Sequence, residues 1–200
     1  MATAYQDIRS KLKDGDVVLY RNGGILGRLY RYTHAELLLW QRDLNGNPTV
    51  LMVTGFKQFQ GARMVTLSSQ VTRFSGRVDI FRMDTDEHTA YRAADLLSRK
   101  SGQRYGFWVI WCSFLWHFMF VRLLLRTDAD GTEEVKVDDW NAYEVCSSAI
   151  VDIVRRVMGQ DRKDSWPCPN VPSWRCFPER IAEDSFFRLV YPGLIDTRLI

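Results

Sequence analysis

The sequence predicts an α+β domain in which a meander of antiparallel β-strands packs against helices. Five short apolar, β-prone runs separated by turn-forming residues precede residue 82, whereas most runs with helical spacing follow it. The length of 200 residues suits one sizeable hydrophobic core, and no stretch has the composition of an interdomain linker. The sequence therefore predicts a single domain over residues 1–200.

The predicted sheet is built around one hairpin. The apolar runs at residues 35–40 and 50–53 flank a turn-forming stretch centred near Asn45-Gly46, which is typical of a tight connection between antiparallel strands. One earlier run and two later runs extend the hairpin into a meander. The five predicted strands are residues 17–20, 35–40, 50–53, 64–67 and 78–81.

Helical spacing of apolar residues predicts the helices. The pattern is clear where Ile150, Ile153 and Val154 fall at positions i, i+3 and i+4. That helix ends near Gly159, and Cys146 lies at its beginning. The other predicted helices are residues 5–12, 86–100 and 178–182, the last within a proline-rich tail that wraps the domain.

An apolar segment at residues 107–125 is rich in tryptophan. From Phe107 to Val121, Ser113 and His117 are its only polar interruptions. As a helix this stretch would extend about 22 Å, which is short of the roughly 30 Å hydrocarbon core of a bilayer. We expect a buried or partly buried helix of the domain, and a surface that meets lipid or another protein is the open alternative.

Composition excludes several classes of protein. The chain is 46% hydrophobic and 26% charged, which is ordinary for a folded globular domain. The net charge of +3 is too small to predict a nucleic-acid partner. The first ten residues lack the basic start and apolar run of a signal peptide, so the sequence predicts a cytoplasmic protein, with association with a phage particle left open.

The sequence predicts no metal ion and no cofactor. The glycine-rich loop at residues 22–27 is not followed by the Lys-Ser or Lys-Thr of a phosphate cradle, and the acidic loop at residues 127–139 lacks a full calcium-ligand series. The four cysteines form no Cys-x-x-Cys pair, so free thiols are expected. A disulfide between Cys168 and Cys176 is an alternative that a reducing cytoplasm disfavours.

Among the possible cysteine–histidine pairs, Cys146 with His34 has the best local context. A helix N-terminus supplies amide donors and a partial positive charge, which favour a thiolate and an oxyanion. His34 begins a predicted hairpin strand, where a rigid sheet can hold an imidazole. By contrast, His88 lies in the polar first turn of a helix and His117 lies in the tryptophan-rich segment, and neither has an obvious thiol partner.

Several short motifs occur in an order that resembles the circularly permuted papain-fold cysteine hydrolases of the NlpC-like superfamily, including the YiiX-like group. They are Gly15-Asp16 before a strand, Thr33-His34-Ala35-Glu36, Tyr105-Gly106-Phe107, Cys146-Ser147-Ser148 at a helix start, and Pro178-Glu179-Arg180-Ile181. The resemblance implies a permuted papain-like fold in which the histidine strand precedes the cysteine helix. The resemblance depends on the order of these motifs along the chain and not on any single motif.

The resemblance implies a thiol-dependent hydrolase in which His34 activates Cys146. The thiolate would attack a peptide-like amide and form an acyl-enzyme, with bacterial cell-wall peptides as one substrate class. Lecithin:retinol acyltransferase-like enzymes share the permuted arrangement, so a lipid or thioester acyl substrate at a membrane surface is a second reading. A non-catalytic binding module on the same scaffold is a third.

A third polar residue would orient the imidazole, and here the chain departs from the related group. That group has Glu followed by Ala on the next strand, whereas this chain has Thr54-Gly55. A turn near Asn45-Gly46 places position 34 opposite position 57, which brings Thr54 and Gln58 near the right register. These two rank equally, and Glu36 ranks third because neighbours on one strand face point side by side.

Overall fold

The computed structural model describes residues 3–21, 31–57, 61–74, 76–102, 146–169, 171, 173 and 176–195. Its centre is a seven-stranded sheet in the spatial order β1-β7-β6-β2-β3-β4-β5, in which β1 pairs parallel to β7 and all other pairings are antiparallel. The strands are β1 (Thr3–Ala4), β2 (Val17–Arg21), β3 (His34–Arg42), β4 (Pro48–Lys57), β5 (Gly61–Thr66), β6 (Arg77–Met83) and β7 (Phe187–Ile195). The predicted α+β class is confirmed.

Helices cover both faces of this sheet within the described part of the chain. They are α1 (Tyr5–Ile8), α2 (Leu67–Arg73), α3 (Glu87–Arg99), α4 (Cys146–Met158) and α5 (Pro178–Glu183), with 3-10 turns at Arg9–Lys11 and Gln160–Ser165. The predicted helices at residues 86–100, at 178–182 and from Cys146 to near Gly159 are confirmed. No helix among the described residues has the length and apolarity needed to cross a bilayer. The tryptophan-rich segment at residues 107–125 lies outside those residues.

Two elements differ from the sequence prediction. The strand predicted at residues 64–67 ends at Thr66, and α2 follows where only turn-forming residues were expected. Thr66 caps that helix, because its side chain accepts a hydrogen bond from the Ser69 amide, and Leu67 with Val71 supplies a buried face one turn apart. The C-terminal tail also contributes β7. This strand was not predicted because it contains Pro192 and Gly193, which are uncommon inside regular strands.

The sheet separates two buried cores because alternate strand residues point to opposite faces. One core packs α3 and α4 against the sheet and includes Val17, Leu19, Leu37 and Phe81. The other core lies beneath α1 and α2 and includes Val18, Tyr20, Leu38, Val53 and Ile80. Strand β3 therefore presents one side to α4 and the other side to the second core, and it passes directly beside the start of α4.

The Gly15-Asp16 motif has a structural role in this fold. Gly15 has φ +79°, and a Cβ atom there would stand 2.6 Å from the carbonyl oxygen of Ala90, so glycine lets β2 approach α3 closely. The buried Asp16 carboxylate receives two hydrogen bonds of 2.8 Å from the Arg82 guanidinium and one of 2.9 Å from the Lys13 amide. The motif thus anchors the start of β2.

Candidate active site

His34 and Glu36 lie two residues apart on β3 and share the face of the second core, and His34, at the start of the strand, also contacts the first residue of α4. The Glu36 side chain is fully buried, whereas the His34 side chain keeps 22% of its surface exposed. Glu36 Oε1 lies 3.4 Å from His34 Nε2, which is close enough for strong electrostatic attraction but longer than a well-formed hydrogen bond. Because Nε2 faces the carboxylate, Nδ1 is the ring nitrogen that remains for a second partner.

The second partner of the imidazole is the thiol of Cys146, the residue at which α4 begins. Cys146 is 4% exposed, and its side chain hydrogen-bonds to His34. The backbone amides of Ala35 and Ser147 also donate to the sulfur. The structure therefore brings a thiol, an imidazole and a carboxylate into one continuous chain of contacts.

The contacts among Cys146, His34 and Glu36 shift the pKa values of the histidine and the cysteine in directions that favour their charged forms. Burial alone would lower the pKa of His34, but the Cys146 sulfur and the Glu36 carboxylate outweigh it and raise that pKa from its ordinary 6.5 to about 10. Burial alone would raise the pKa of the Cys146 thiol, yet the charge and hydrogen bond of His34 lower it. Both shifts favour a thiolate beside an imidazolium at neutral pH.

Tyr20 and Arg63 complete the surroundings of the buried carboxylate. Tyr20 donates its hydroxyl hydrogen bond to Glu36 Oε2, and its ring lies 5.3 Å from the His34 ring between centroids. Burial alone would raise the pKa of Glu36, but contacts with His34 and Tyr20 and the charge of Arg63 lower it. Burial and the same carboxylate raise the pKa of Tyr20 well above its usual value, so the hydroxyl keeps its proton and acts as the donor.

Strand pairing explains why these side chains meet. Tyr20 of β2 lies directly opposite His34 of β3, and Val18 lies opposite Glu36. Directly opposed residues and residues two apart on a strand share a face, so Tyr20, His34 and Glu36 occupy one side of the sheet. The Cα atoms of His34 and Glu36 are about 6.6 Å apart along β3, and the two side chains are long enough to meet across that distance.

The three candidates for the third polar residue have different positions. Thr54 is buried but pairs with Leu37, so it lies on the opposite face of the sheet from Glu36. Gln58 lies outside the described residues. Glu36, which ranked third from sequence, is the candidate whose carboxylate lies beside the imidazole. The pairing of Leu37 with Thr54 places position 34 opposite position 57, as the sequence predicted. The carboxylate beside His34 nevertheless comes from β3 itself and not from the paired strand β4.

Sequence reasoning missed Tyr20 and Arg63. Tyr20 lies near the end of β2, and the connection from β2 to His34 covers residues 22–33, which is longer than the two to five residues of an ordinary hairpin loop, so the sequence did not fix its pairing with His34. Arg63 lies on β5, two strands away from β3, and acts on Glu36 through its charge. The local signal for such partners is the position of Glu36 inside the apolar run at residues 35–40, because a charge that is buried with such a strand requires compensation.

The remaining described thiols form a separate cluster. Cys168 and Cys176 are buried free thiols that hydrogen-bond to each other. This hydrogen bond and burial raise the pKa of Cys168, whereas the same hydrogen bond lowers the pKa of Cys176. Arg155 of α4 donates to the carbonyl oxygens of Pro167 and Val171 beside them. The expectation of free thiols holds for the described cysteines, and Cys112 lies outside the described residues.

Comparisons with known proteins give no family for this chain. No family model matches it, and no curated protein matches it with significant similarity. Among the described residues, no cluster of three or more histidine, cysteine or acidic side chains could hold a metal ion. The reactive groups that the described site offers are the thiol, the imidazole and the carboxylate.

Proposed function

We propose that this protein is a thiol-dependent hydrolase in which Cys146 is the nucleophile, His34 is the general acid and base, and Glu36 orients the imidazole. The observation that carries the proposal is the continuous line of contacts from Cys146 through the partly exposed His34 to the buried Glu36. A nucleophile bound to a base that is itself held by a third group is the arrangement that acyl-transfer chemistry requires.

The proposed reaction proceeds through an acyl-enzyme. The Cys146 thiolate attacks the carbonyl carbon of an amide, and protonated His34 then gives its proton to the departing amine. In the second half-reaction, neutral His34 takes a proton from water, and the resulting hydroxide releases the acid and frees the thiol. Glu36 keeps its charge throughout and stabilises the imidazolium that forms in each half.

The start of α4 gives the proposed reaction a place to hold negative charge. The amide of Ala35 on β3 and the amide of Ser147 in the first turn of α4 both donate to the Cys146 sulfur, and an amide at the beginning of a helix particularly favours an anion. We propose that these donors stabilise the thiolate before attack. A thiolate formed in advance makes the first step less dependent on simultaneous proton removal.

We propose a peptide-like amide as substrate, with bacterial cell-wall peptides as the first class to test. The resemblance of the motif order to permuted papain-like hydrolases supports this choice, because His34 precedes Cys146 in the chain and the thiol begins a helix. We include the permuted papain-like fold in the proposal on the same ground. An acyl thioester is the contrasting substrate, since the same thiolate could accept its acyl group.

The first test measures whether Cys146 is an activated thiol. We expect iodoacetamide to label Cys146, located by peptide mass spectrometry, faster at neutral pH than it labels the unfolded chain, and His34→Ala to abolish that advantage. Peptide localisation is essential because Cys176 also has a lowered pKa. Equal labelling of Cys146 in folded, unfolded and His34→Ala protein would overturn the catalytic pair.

The second test identifies the scissile bond. The protein is incubated separately with a digest of bacterial cell-wall peptides and with an acyl thioester, and products and any adduct on Cys146 are measured by mass spectrometry. We expect cleaved peptide amides with the wild type and none with Cys146→Ala. If only the thioester is turned over, the thioester replaces the amide as the proposed substrate. If Cys146 is activated but neither substrate is turned over, the proposal that the protein hydrolyses these two classes is wrong.

A further inference from the structure

The side chain of Glu36 lies between a tyrosine that bonds to its carboxylate and a glycine that leaves it room. On one side, Tyr20 of β2 donates its hydroxyl hydrogen bond to Oε2. On the other side, the pairing of Leu37 with Thr54 extrapolates to place Gly55 of β4 opposite Glu36. With Oε2 bound to the tyrosine, Oε1 is the oxygen that faces His34 Nε2 at 3.4 Å.

Gly55 is required for space rather than for backbone conformation. Its φ is not among the positive values of the chain's glycines, so its backbone would accept any residue. A Cβ atom there would stand 2.9 Å from Glu36 Cγ and 3.2 Å from the carbonyl oxygen of Ala35. Glycine inside a strand lowers its stability, and it commonly marks a close approach by another group. Here that group is the Glu36 side chain.

Tyr20 fixes the carboxylate by direct bonding and by packing. Its ring contacts His34 on one side and makes an edge contact with Phe74, with centroids 5.1 Å apart, on another. The tyrosine is 3% exposed, so water does not compete freely for its hydroxyl. A hydrogen bond donated to a buried carboxylate favours its ionised form and holds its plane in one orientation.

We propose that Tyr20 and Gly55 are positioning residues that hold the Glu36 carboxylate, ionised and oriented, against the imidazole that activates Cys146. The inference rests on the proposed function, and it goes beyond that function by assigning the geometry of the His34–Glu36 pair to two residues that contact Glu36. Tyr20 acts by donating a hydrogen bond, and Gly55 acts by leaving the volume that Glu36 fills.

The test follows thiolate formation at Cys146 as a function of pH, measured as the ultraviolet absorbance of the thiolate relative to the Cys146→Ala protein. We expect Tyr20→Phe to move the midpoint to higher pH and to slow iodoacetamide labelling of Cys146 at neutral pH by about tenfold, the effect of losing one hydrogen bond to an ionised group. Tyr32→Phe is the matched control, because Tyr32 is also buried and donates to a buried carboxylate, that of Asp79, at 2.6 Å. It should leave the midpoint unchanged.

Gly55→Ala is the independent variant. We expect it to displace Glu36 and to move the midpoint in the same direction as Tyr20→Phe. Gly46→Ala in the turn of the same hairpin is its control, because no atom lies within 4 Å of a Cβ there. In a Glu36→Gln background, neither Tyr20→Phe nor Gly55→Ala should move the midpoint further, because both act through the charge that is already gone.

The outcomes separate the inference from the proposed function. If His34→Ala leaves the wild-type midpoint unchanged, the catalytic pair and the positioning roles both fall. If His34→Ala moves the midpoint but folded Tyr20→Phe and Gly55→Ala do not, only the positioning roles fall. If circular dichroism shows that one of the two variants does not fold, the midpoint of the other variant tests the inference. Additive shifts of the midpoint in the Glu36→Gln background would also overturn it.

Discussion

Replacing Glu36 by glutamine removes one charge from the site while keeping the shape of the side chain. Tyr20 can still donate to the amide oxygen of the glutamine. The amide nitrogen would then face His34 Nε2 as a donor, which favours a neutral ring with its proton on Nδ1. A ring in that state cannot accept the proton of the Cys146 thiol through Nδ1. The substitution therefore acts on charge and on the tautomer together.

The size of the effect follows from the distance between the two charges. At 3.4 Å and an effective dielectric constant of about 20, two unit charges attract by about 5 kcal/mol. Partial exposure of His34 and relaxation of both side chains reduce this value, and pairs at such distances shift a pKa by about 1 to 3 units. A shift near the middle of that range, about 2 units, corresponds to about 2.7 kcal/mol.

The assay is the rate of iodoacetamide labelling of Cys146 against pH. We expect Glu36→Gln to slow labelling at neutral pH by between about tenfold and about a hundredfold and to move the midpoint of the profile to higher pH. Asp79→Asn is the control, because Asp79 is also a buried carboxylate, bonded to Tyr32 and Arg77 but not to the site. A Glu36→Gln protein that is folded and keeps the wild-type profile would refute the role of Glu36.

Three further predictions test other parts of the structure. Thr54→Val should leave labelling of Cys146 unchanged, because Thr54 lies on the opposite face of the sheet from His34 and Glu36 and so does not orient the imidazole; a slower rate would restore it as an orienting residue. Gly15→Ala should lower the free energy of unfolding in urea by more than Gly46→Ala does, since both glycines have positive φ but only Gly15 has a neighbour that a Cβ would strike; equal losses would contradict the close approach. The difference in free energy of unfolding between the wild type and the double variant His34→Ala/Cys146→Ala should stay nearly constant from about pH 7 to about pH 8, between the ordinary pKa values of histidine and cysteine, because the pair then holds one proton when folded, on His34, and one when unfolded, on Cys146. A protonated His34 beside a neutral thiol would instead lose about 1.4 kcal/mol of stability for each pH unit in that window, since its raised pKa stabilises the folded state only while the imidazole is charged.

The parts of the fold that depend on neighbouring residues could be predicted from sequence. The turn near Asn45-Gly46 fixed the hairpin register closely enough to place position 34 opposite position 57. The spacing of Ile150, Ile153 and Val154 located α4 and put Cys146 at its beginning. Both predictions rest on interactions between residues close in the chain, where turn chemistry and periodicity act directly.

The parts that depend on distant pairings could not be predicted. The predicted meander holds for β2, β3, β4 and β5, but β6 pairs with β2 at the far side of the meander and not with β5, and no local pattern specifies that order of strands. The strand β7 joins the sheet from the far end of the chain and pairs with β6 through irregular register. Such pairings are selected by the shape and burial of the whole sheet, so a sequence read in short windows does not contain them.

The position of Glu36 shows why a rule about strand faces was insufficient. Residues i and i+2 do point the same way from the backbone, but the rule describes the Cβ direction and not where a longer side chain ends. Glu36 is held by Tyr20 on one oxygen and has room beside it because Gly55 lacks a side chain, so its other oxygen turns along the strand toward His34. The Thr54-Gly55 sequence lacks the carboxylate that the related group has on this strand. Its glycine leaves space for the Glu36 side chain on β3. A Cβ atom at position 55 would stand 2.9 Å from Glu36 Cγ, so a side chain there would force Glu36 or its neighbours to move from the observed position.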